Sequence, residues 1–334
     1  MGTARASGAG RRFTSLEICA GAGGAALGLE RAGFDPVLLI ENRSVACETL
    51  RTNRPEWHVL EKDLIEFLPD EHPQCYDVDL VSAGLPRVKA AAAVSRRRDD
   101  APELELLKAT AYLMHAVQPK ALLIENVPDL ATKVVHAQAR RILEDELEHL
   151  GYRFRWQVVE SAEYGVPQKR ELGLLIAFKG DLIDAFELPE VVHEPPSTVG
   201  QVLSHSMAAR GWTEAPKWVA QADRVAPTIV GGSWERGGPD LGPSGAKRSW
   251  ARMGVDGGTV ADDVPAPDFH WDPALGRRGM MPLTVDQVAL LQGFPPDWYV
   301  AGKKTARYRQ VGNAMPPPVA EVLGHSIAKA LAVA

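Results

Sequence analysis

The sequence predicts a doubly wound α/β fold, a mostly parallel sheet with helices on both faces, carrying a second and smaller irregular domain. Three observations predict it. From Phe13 to about Gly180 short apolar runs alternate with amphipathic stretches, the pattern of successive βαβ units. A glycine-rich turn at Gly21, Gly23 and Gly24 closes the first apolar run and opens a helical stretch, as nucleotide-type sites in such sheets do. Between 186 and 281 the chain becomes rich in Gly, Pro and Trp and loses long periodic segments.

Taken in order, strands are expected at 14–19, 36–40, 78–82, 120–124, 153–159 and 172–178, with helices at 102–117 and 135–150 between them. The irregular stretch contains turn signals such as Gly231-Gly232-Ser233-Trp234 and Gly237-Gly238-Pro239. Helical periodicity returns at 284–292 and 317–332. The expected division is a loose tail at 1–12, a large domain from 13–185 and 282–334, and a small domain at 186–281.

Composition narrows the class. With 334 residues, 45% hydrophobic and 24% charged, the chain has the balance of an ordinary globular protein large enough for two domains. No run approaches the roughly 18 apolar residues of a membrane span. Cys19, Cys47 and Cys75 show neither paired nor metal-type spacing, which fits free thiols in a reducing cytoplasm. A net charge of −6 does not favour nucleic acid, so such a partner would need local basic patches. Two exist: Arg96-Arg97-Arg98, and Lys303-Lys304 with Arg307 and Arg309. Either run also reads as a solvated face.

The first turn, Cys19-Ala20-Gly21-Ala22-Gly23-Gly24, lets the backbone approach a ligand beside a helix N-terminus. Glu41 ends the second strand, where an acid commonly takes ribose hydroxyls, with Asn42 beside it. Asp63 and Leu64 follow a third short segment. Together they indicate a nucleoside-type cofactor. The turn lacks a Lys-Ser/Thr ending, and its spacing departs from the dinucleotide fingerprint.

Six blocks resemble the DNA cytosine-5 methyltransferase family. They are the Gly-x-Gly-Gly turn continuing to Phe34; the strand-and-turn Val78 to Arg87 through Gly84-Leu85-Pro86; Ile124-Glu125-Asn126-Val127; Tyr164 to Arg170; and Leu291-Gln292-Gly293-Phe294-Pro295 with Gln310 to Pro317, including Asn313 and Ala314. The resemblance implies a methyltransferase fold, S-adenosyl-L-methionine as cofactor and double-stranded DNA as partner. Residues 186–281 then fall where the family's target-recognition domain belongs. It implies that Cys19, Ala20, Gly21, Gly23, Gly24, Glu41, Asn42, Asp63, Leu64, Gly84, Asn313 and Ala314 hold cofactor. Glu125 and Arg170 would serve the target base, and Arg96, Arg97, Arg98, Lys303 and Lys304 would grip DNA phosphates.

The chain departs from the family at its chemistry. The family's turn ends in Pro-Cys, and that thiolate adds to carbon 6 of cytosine so that carbon 5 can take a methyl group. This chain has Arg87 there, followed by Val88-Lys89 and four alanines, and it has Leu172 where the family has a second arginine. A guanidinium stays protonated and offers no nucleophilic lone pair. Residue chemistry therefore predicts that ordinary carbon-5 turnover fails.

Arg87 has two readings: a salt bridge to Glu125, or a donor fork for a phosphate or for acceptor atoms of an extruded base. Cys19, Cys47 and Cys75 are expected to be structural. Trp212, Trp218, Trp234 and Trp250 are expected mainly as core anchors. Three functions stay open: a cofactor- and DNA-binding protein without carbon-5 transfer, a transferase acting without a covalent nucleophile, and a silenced or displaced cytosine enzyme.

Overall fold

A computed structural model describes residues 11–88, 102–232 and 238–333. Its centre is a seven-stranded sheet. The strands are β1 (Phe13–Ile18), β2 (Phe34–Glu41), β3 (Val59–Glu61), β4 (Leu80–Gly84), β5 (Ala121–Asn126), β6 (Tyr152–Glu160) and β8 (Glu171–Lys179), in the order β3-β2-β1-β4-β5-β8-β6. The first five are mutually parallel, whereas β8 runs antiparallel to both β5 and β6. The predicted strands are all present, within one or two residues at their ends. The short β3 completes the second winding.

Side-chain alternation explains the layers. In β5, Leu122 and Ile124 enter one apolar cluster while Ala121 and Leu123 enter another; Leu175 and Ala177 alternate in the same way with Leu174, Ile176 and Phe178 of β8. Both sheet faces are thus apolar, the mark of strands covered on both sides. One face is covered by α3 (Pro102–Val117) and α5 (Ala137–His149), which supply Leu107, Met114, Leu143 and Leu147. The other is covered by α1 (Gly24–Arg31) and α11 (Pro317–Leu331), so the chain's C-terminal helix completes the domain begun at its N-terminus.

Helices α1 and α11 approach closely because two glycines permit it. A Cβ on Gly28 would lie 2.3 Å from the Pro317 carbonyl oxygen, and one on Gly324 would lie 2.6 Å from Ala32 Cβ. The remaining helices are α2 (Ser44–Asn53), α4 (Pro128–Thr132), α6 (Val199–Ala208), α7 (Ala215–Gln221), α8 (Ser244–Arg252), α9 (Val285–Leu291) and α10 (Lys304–Asn313). Strands β7 (Gln168–Lys169) and β9 (Ala226–Pro227) form a separate parallel pair.

The stretch 186–281 carries α6, α7, α8 and β9 joined by loops, and it shares a core with its surroundings. Trp212, Trp218, Trp250 and Trp271 are buried in one cluster with Leu50 and Trp57 near α2 and with Leu291, Trp298 and Tyr308. The tryptophans expected as core anchors are therefore anchors at 212, 218 and 250; Trp234 lies outside the described residues.

Gly28→Ala tests the α1–α11 contact. Overpacking against backbone is expected to cost about 1–3 kcal/mol, beyond the helix-propensity gain of about 1. Urea unfolding would read this as a lower midpoint than wild type.

Candidate active site

The strand order reverses between β1 and β4, so the segments leaving their C-terminal ends diverge and open a crevice there. A cleft of about 1450 Å³ occupies that crevice. Its lining includes Cys19, Ala20, Gly21, Glu41, Asp63 and Leu64 at one end and Arg87, Glu125 and Arg170 at the other.

The turn after β1 is held in shape from the tip of β2. Glu41 accepts from Gly21 N (2.8 Å) with one carboxylate oxygen and from Arg43 N (2.8 Å) with the other. Burial raises the Glu41 carboxyl above its ordinary range, and these backbone donors oppose the rise. Asp63 accepts from Ile65 N (3.0 Å) and from the Asn42 side chain (3.1 Å), so the acids at the ends of two neighbouring strands are fixed beside one another.

Gly23 has φ +81°, and a Cβ there would lie 2.7 Å from Leu50 Cδ2. It does not line the cleft; its place is in the turn and against α2. Cys19 also adopts a positive φ, +52°. Asn42, Gly84, Asn313 and Ala314 line the cleft with Gly24.

The second turn, after β4, is clamped by a neighbouring strand. Asn126 donates to the carbonyls of Leu85 (3.2 Å) and Pro86 (3.1 Å) and accepts from Val88 N (3.2 Å). Gly84 is the cross-strand partner of Glu125, so the turn leaves the sheet beside that carboxylate.

The expected Arg87–Glu125 ion pair is not what forms. Glu125 pairs with Arg170 at 3.7 Å, with side chains 12% and 4% exposed. Arg170 precedes β8 and is buried beside β5, whereas Arg87 lies past the strand end with an exposed side chain. Among the described residues Arg87 makes no side-chain hydrogen bond or ion pair, though its charge reaches both Glu125 and Arg170. Burial raises the Glu125 carboxyl while the two guanidiniums pull it back down. Leu172 is buried in the apolar cluster over α11, so that position sends no cation into the cleft.

Arg170 also donates to the carbonyls of Gly312 (3.0 Å) and, more weakly, Ile229 (3.4 Å). Beside it Gln168 donates to Gln292 Oε1 (2.6 Å) and accepts from Ile229 N (2.7 Å), and Gln292 donates to Val311 O (2.8 Å). This buried polar seam was not anticipated, although Gln168, Arg170, Gln292, Val311 and Gly312 lay within the quoted blocks.

The three thiols all lie in surroundings that disfavour the thiolate. Burial and nearby acids push the Cys19 thiol far up, and burial pushes Cys47 and Cys75 up to about 11. A thiol that remains protonated is a poor nucleophile. Cys47 is fully buried beside Glu41, and Cys75 lies before β4, away from the turn that follows it.

Of the proposed phosphate contacts, Arg96, Arg97 and Arg98 lie outside the described residues. Lys303 and Lys304 do not line the cleft, and Lys304 pairs with Asp262 at 2.9 Å. Arg307 pairs with Asp286. The positive side chains that do line it include Arg43, Lys62 and Lys108. Sequence reading missed these, since scattered cations give no local signal.

Glu17, beneath the first turn, is buried at 2% exposure and accepts from Ser15 Oγ (2.8 Å). Desolvation raises its carboxyl to about 7. The folded protein therefore holds this proton to higher pH than the unfolded chain does, and stability falls as pH rises from about 4.3 through 7. The loss is on the order of 3 kcal/mol. Glu17→Gln is expected to lack it, so wild-type Tm should fall more than the variant's between about pH 5 and 8.

The comparisons with known proteins agree with this geometry. The sequence profile for C-5 cytosine-specific DNA methylases matches residues 13–329. The chain is 41% identical over 321 residues to the type II methyltransferase M.NaeI of Lentzea aerocolonigenes, covering 95% of this chain and 75% of that protein. It is 40% identical over 333 residues to M.NgoMIV of Neisseria gonorrhoeae, covering 96% and 98%. The fold matches the Dnmt2 methyltransferase of S. pombe with TM-score 0.63 at 17% identity, covering 96% of this chain and 99% of that one. A profile match over most of the chain, with two relatives near 40% identity that each cover 95% or more of it, makes this protein a member of the C-5 cytosine-specific DNA methylase family.

Proposed function

We propose that this chain binds S-adenosylmethionine and double-stranded DNA and does not carry methyl transfer to cytosine carbon 5 through a covalent intermediate. The observation that carries the reading is Arg87 on a turn clamped by three Asn126 hydrogen bonds, while burial pushes the Cys19 thiol, which lines the cleft, far up. The likeness to type II methyltransferases supports a role beside a restriction-modification system.

The donor set suits the cofactor. Glu41 keeps acceptor capacity for vicinal hydroxyls after taking two backbone N–H groups, since a carboxylate has about four lone-pair sites. Asp63 and Asn42 provide polar groups at the same end for an adenine edge. When bound, the sulfonium supplies an electrophilic methyl group. The chain's own residues bind, orient and exclude water: Glu41 fixes the first turn, Asn126 fixes the second, and Arg170 holds Glu125. The small stretch 186–281, seated on α2, α9 and α10, is the segment we assign to DNA target recognition.

Glu41→Ala is expected to weaken S-adenosylmethionine binding on the order of tenfold or more, from the loss of charge-assisted hydrogen bonds. Titration calorimetry measures it, and unchanged affinity would remove Glu41 from the cofactor site. With labelled S-adenosylmethionine and mixed-sequence DNA, wild type is expected to bind cofactor and leave the DNA unlabelled. Label in the DNA would overturn the reading, and the methyl's position would reveal the route. Arg87→Cys is expected to remain inactive; label in cytosine with that variant would mark a single silencing substitution.

A further inference from the structure

We infer that Trp298 is a positioning residue for the cofactor turn, an inference that rests on reading the cleft as the S-adenosylmethionine site. Its indole N–H holds the turn at Ala22 while Glu41 holds it at Gly21. The turn between β1 and α1 needs support from outside, because Cys19 sits at φ +52°, a left-handed conformation that a side chain disfavours. Cys19, Ala20 and Gly21 line the cleft, so the shape of this backbone is the shape offered to a ligand.

The support comes from the C-terminal part of the chain. Trp298 Nε1 donates to the Ala22 carbonyl over 3.2 Å, in a buried setting. Ala22 is itself buried, and among the described residues no other donor reaches its carbonyl. Helix α1 does not use that oxygen, since its bonds begin with Leu27 N to Gly23 O. The same ring closes the space beside Gly23, where a Cβ would lie 3.2 Å from Trp298 Cζ2. One indole therefore meets two successive residues of the turn, the first by a hydrogen bond and the second by contact.

Helix α2 holds the indole in place. Asn53 donates to the Tyr299 carbonyl (2.7 Å) and accepts from Tyr299 N (2.8 Å), and Thr49 Oγ1 accepts from Ala301 N (2.9 Å). The Arg54 guanidinium lies 5.4 Å from the Trp298 ring centroid and 5.8 Å from that of Trp57, and it pairs with Glu30 at 3.0 Å. Trp57 gives its own N–H to Glu30 (3.0 Å). The two tryptophans of this cluster thus differ in where their donors go: Trp57 to a side chain of α1, Trp298 to the backbone of the turn. A buried carbonyl that loses its donor keeps the full cost of desolvation, so the backbone beside Gly21 relaxes to relieve it.

The test titrates S-adenosylhomocysteine calorimetrically into full-length wild type, Trp298→Phe, Trp57→Phe and Asn53→Ala, with folding checked by circular dichroism. Both tryptophan substitutions keep an aromatic ring, remove one N–H and are expected to lower the urea midpoint, so stability does not separate them. Affinity does. Trp298→Phe is expected to bind on the order of tenfold more weakly, the cost of one unsatisfied buried acceptor, whereas Trp57→Phe keeps wild-type affinity. Asn53→Ala, which releases the Tyr299 backbone beside the indole, is expected to follow Trp298→Phe. Wild-type affinity in Trp298→Phe overturns the inference and leaves the cofactor reading standing; where that variant does not fold, wild-type affinity in Asn53→Ala does the same. Equal losses in Trp298→Phe and Trp57→Phe also overturn it, since the cluster then acts only as general support. Wild type without affinity for S-adenosylhomocysteine refutes the cofactor reading and the inference with it.

Discussion

The ion pair between Arg170 and Glu125 is the constraint on which the site depends. A buried guanidinium is costly unless its charge is paired and its N–H groups are taken up. Glu125 supplies the charge, and the carbonyls of Gly312 and Ile229 accept further N–H groups. One side chain thereby ties β5 of the sheet to the end of α10 and to the segment entering the irregular stretch. Gln168 and Gln292 extend the seam across the same boundary. The small-domain segment is set against the sheet by bonds that have no alternative partner in a dry interior.

That fixed seam makes the cleft a consequence of topology plus two clamps. The strand reversal opens the crevice, Glu41 shapes one turn at its edge, and Asn126 shapes the other. Both clamps are side chains from a neighbouring strand bonding to turn backbone, so they act regardless of which residue the turn presents. This is why Arg87 can occupy the position of a nucleophile without disturbing the frame around it. The frame is that of the family, and the residue that the second turn carries in this chain is an arginine.

Much of the fold was legible from the chain alone. The alternation of apolar runs identified the strands, because strands covered on both faces need apolar residues at nearly every position. The glycine turn and the acids at the strand tips identified one end of the cleft. Less was legible in which of these residues face the cleft. Gly23 was read as a ligand contact, yet it packs against Leu50, since a glycine can be required by a close neighbour as readily as by a ligand. Lys303 and Lys304 were read as phosphate contacts; neither lines the cleft, and Lys304 pairs with Asp262.

The sequence by itself determined the family, the sheet and the absence of a cysteine at residue 87, since each depends on residue type and order along the chain. Tertiary structure decided which partner Glu125 takes. Arg87 and Arg170 are both arginines within reach in sequence order, and only the antiparallel placement of β8 beside β5 brings Arg170 into the buried position. It also decided that the irregular stretch shares a core with α10 and with α2, the latter over a hundred residues away in the chain. Order and chemistry are written locally; pairing in a dry interior is settled by which buried groups the fold brings within hydrogen-bond distance.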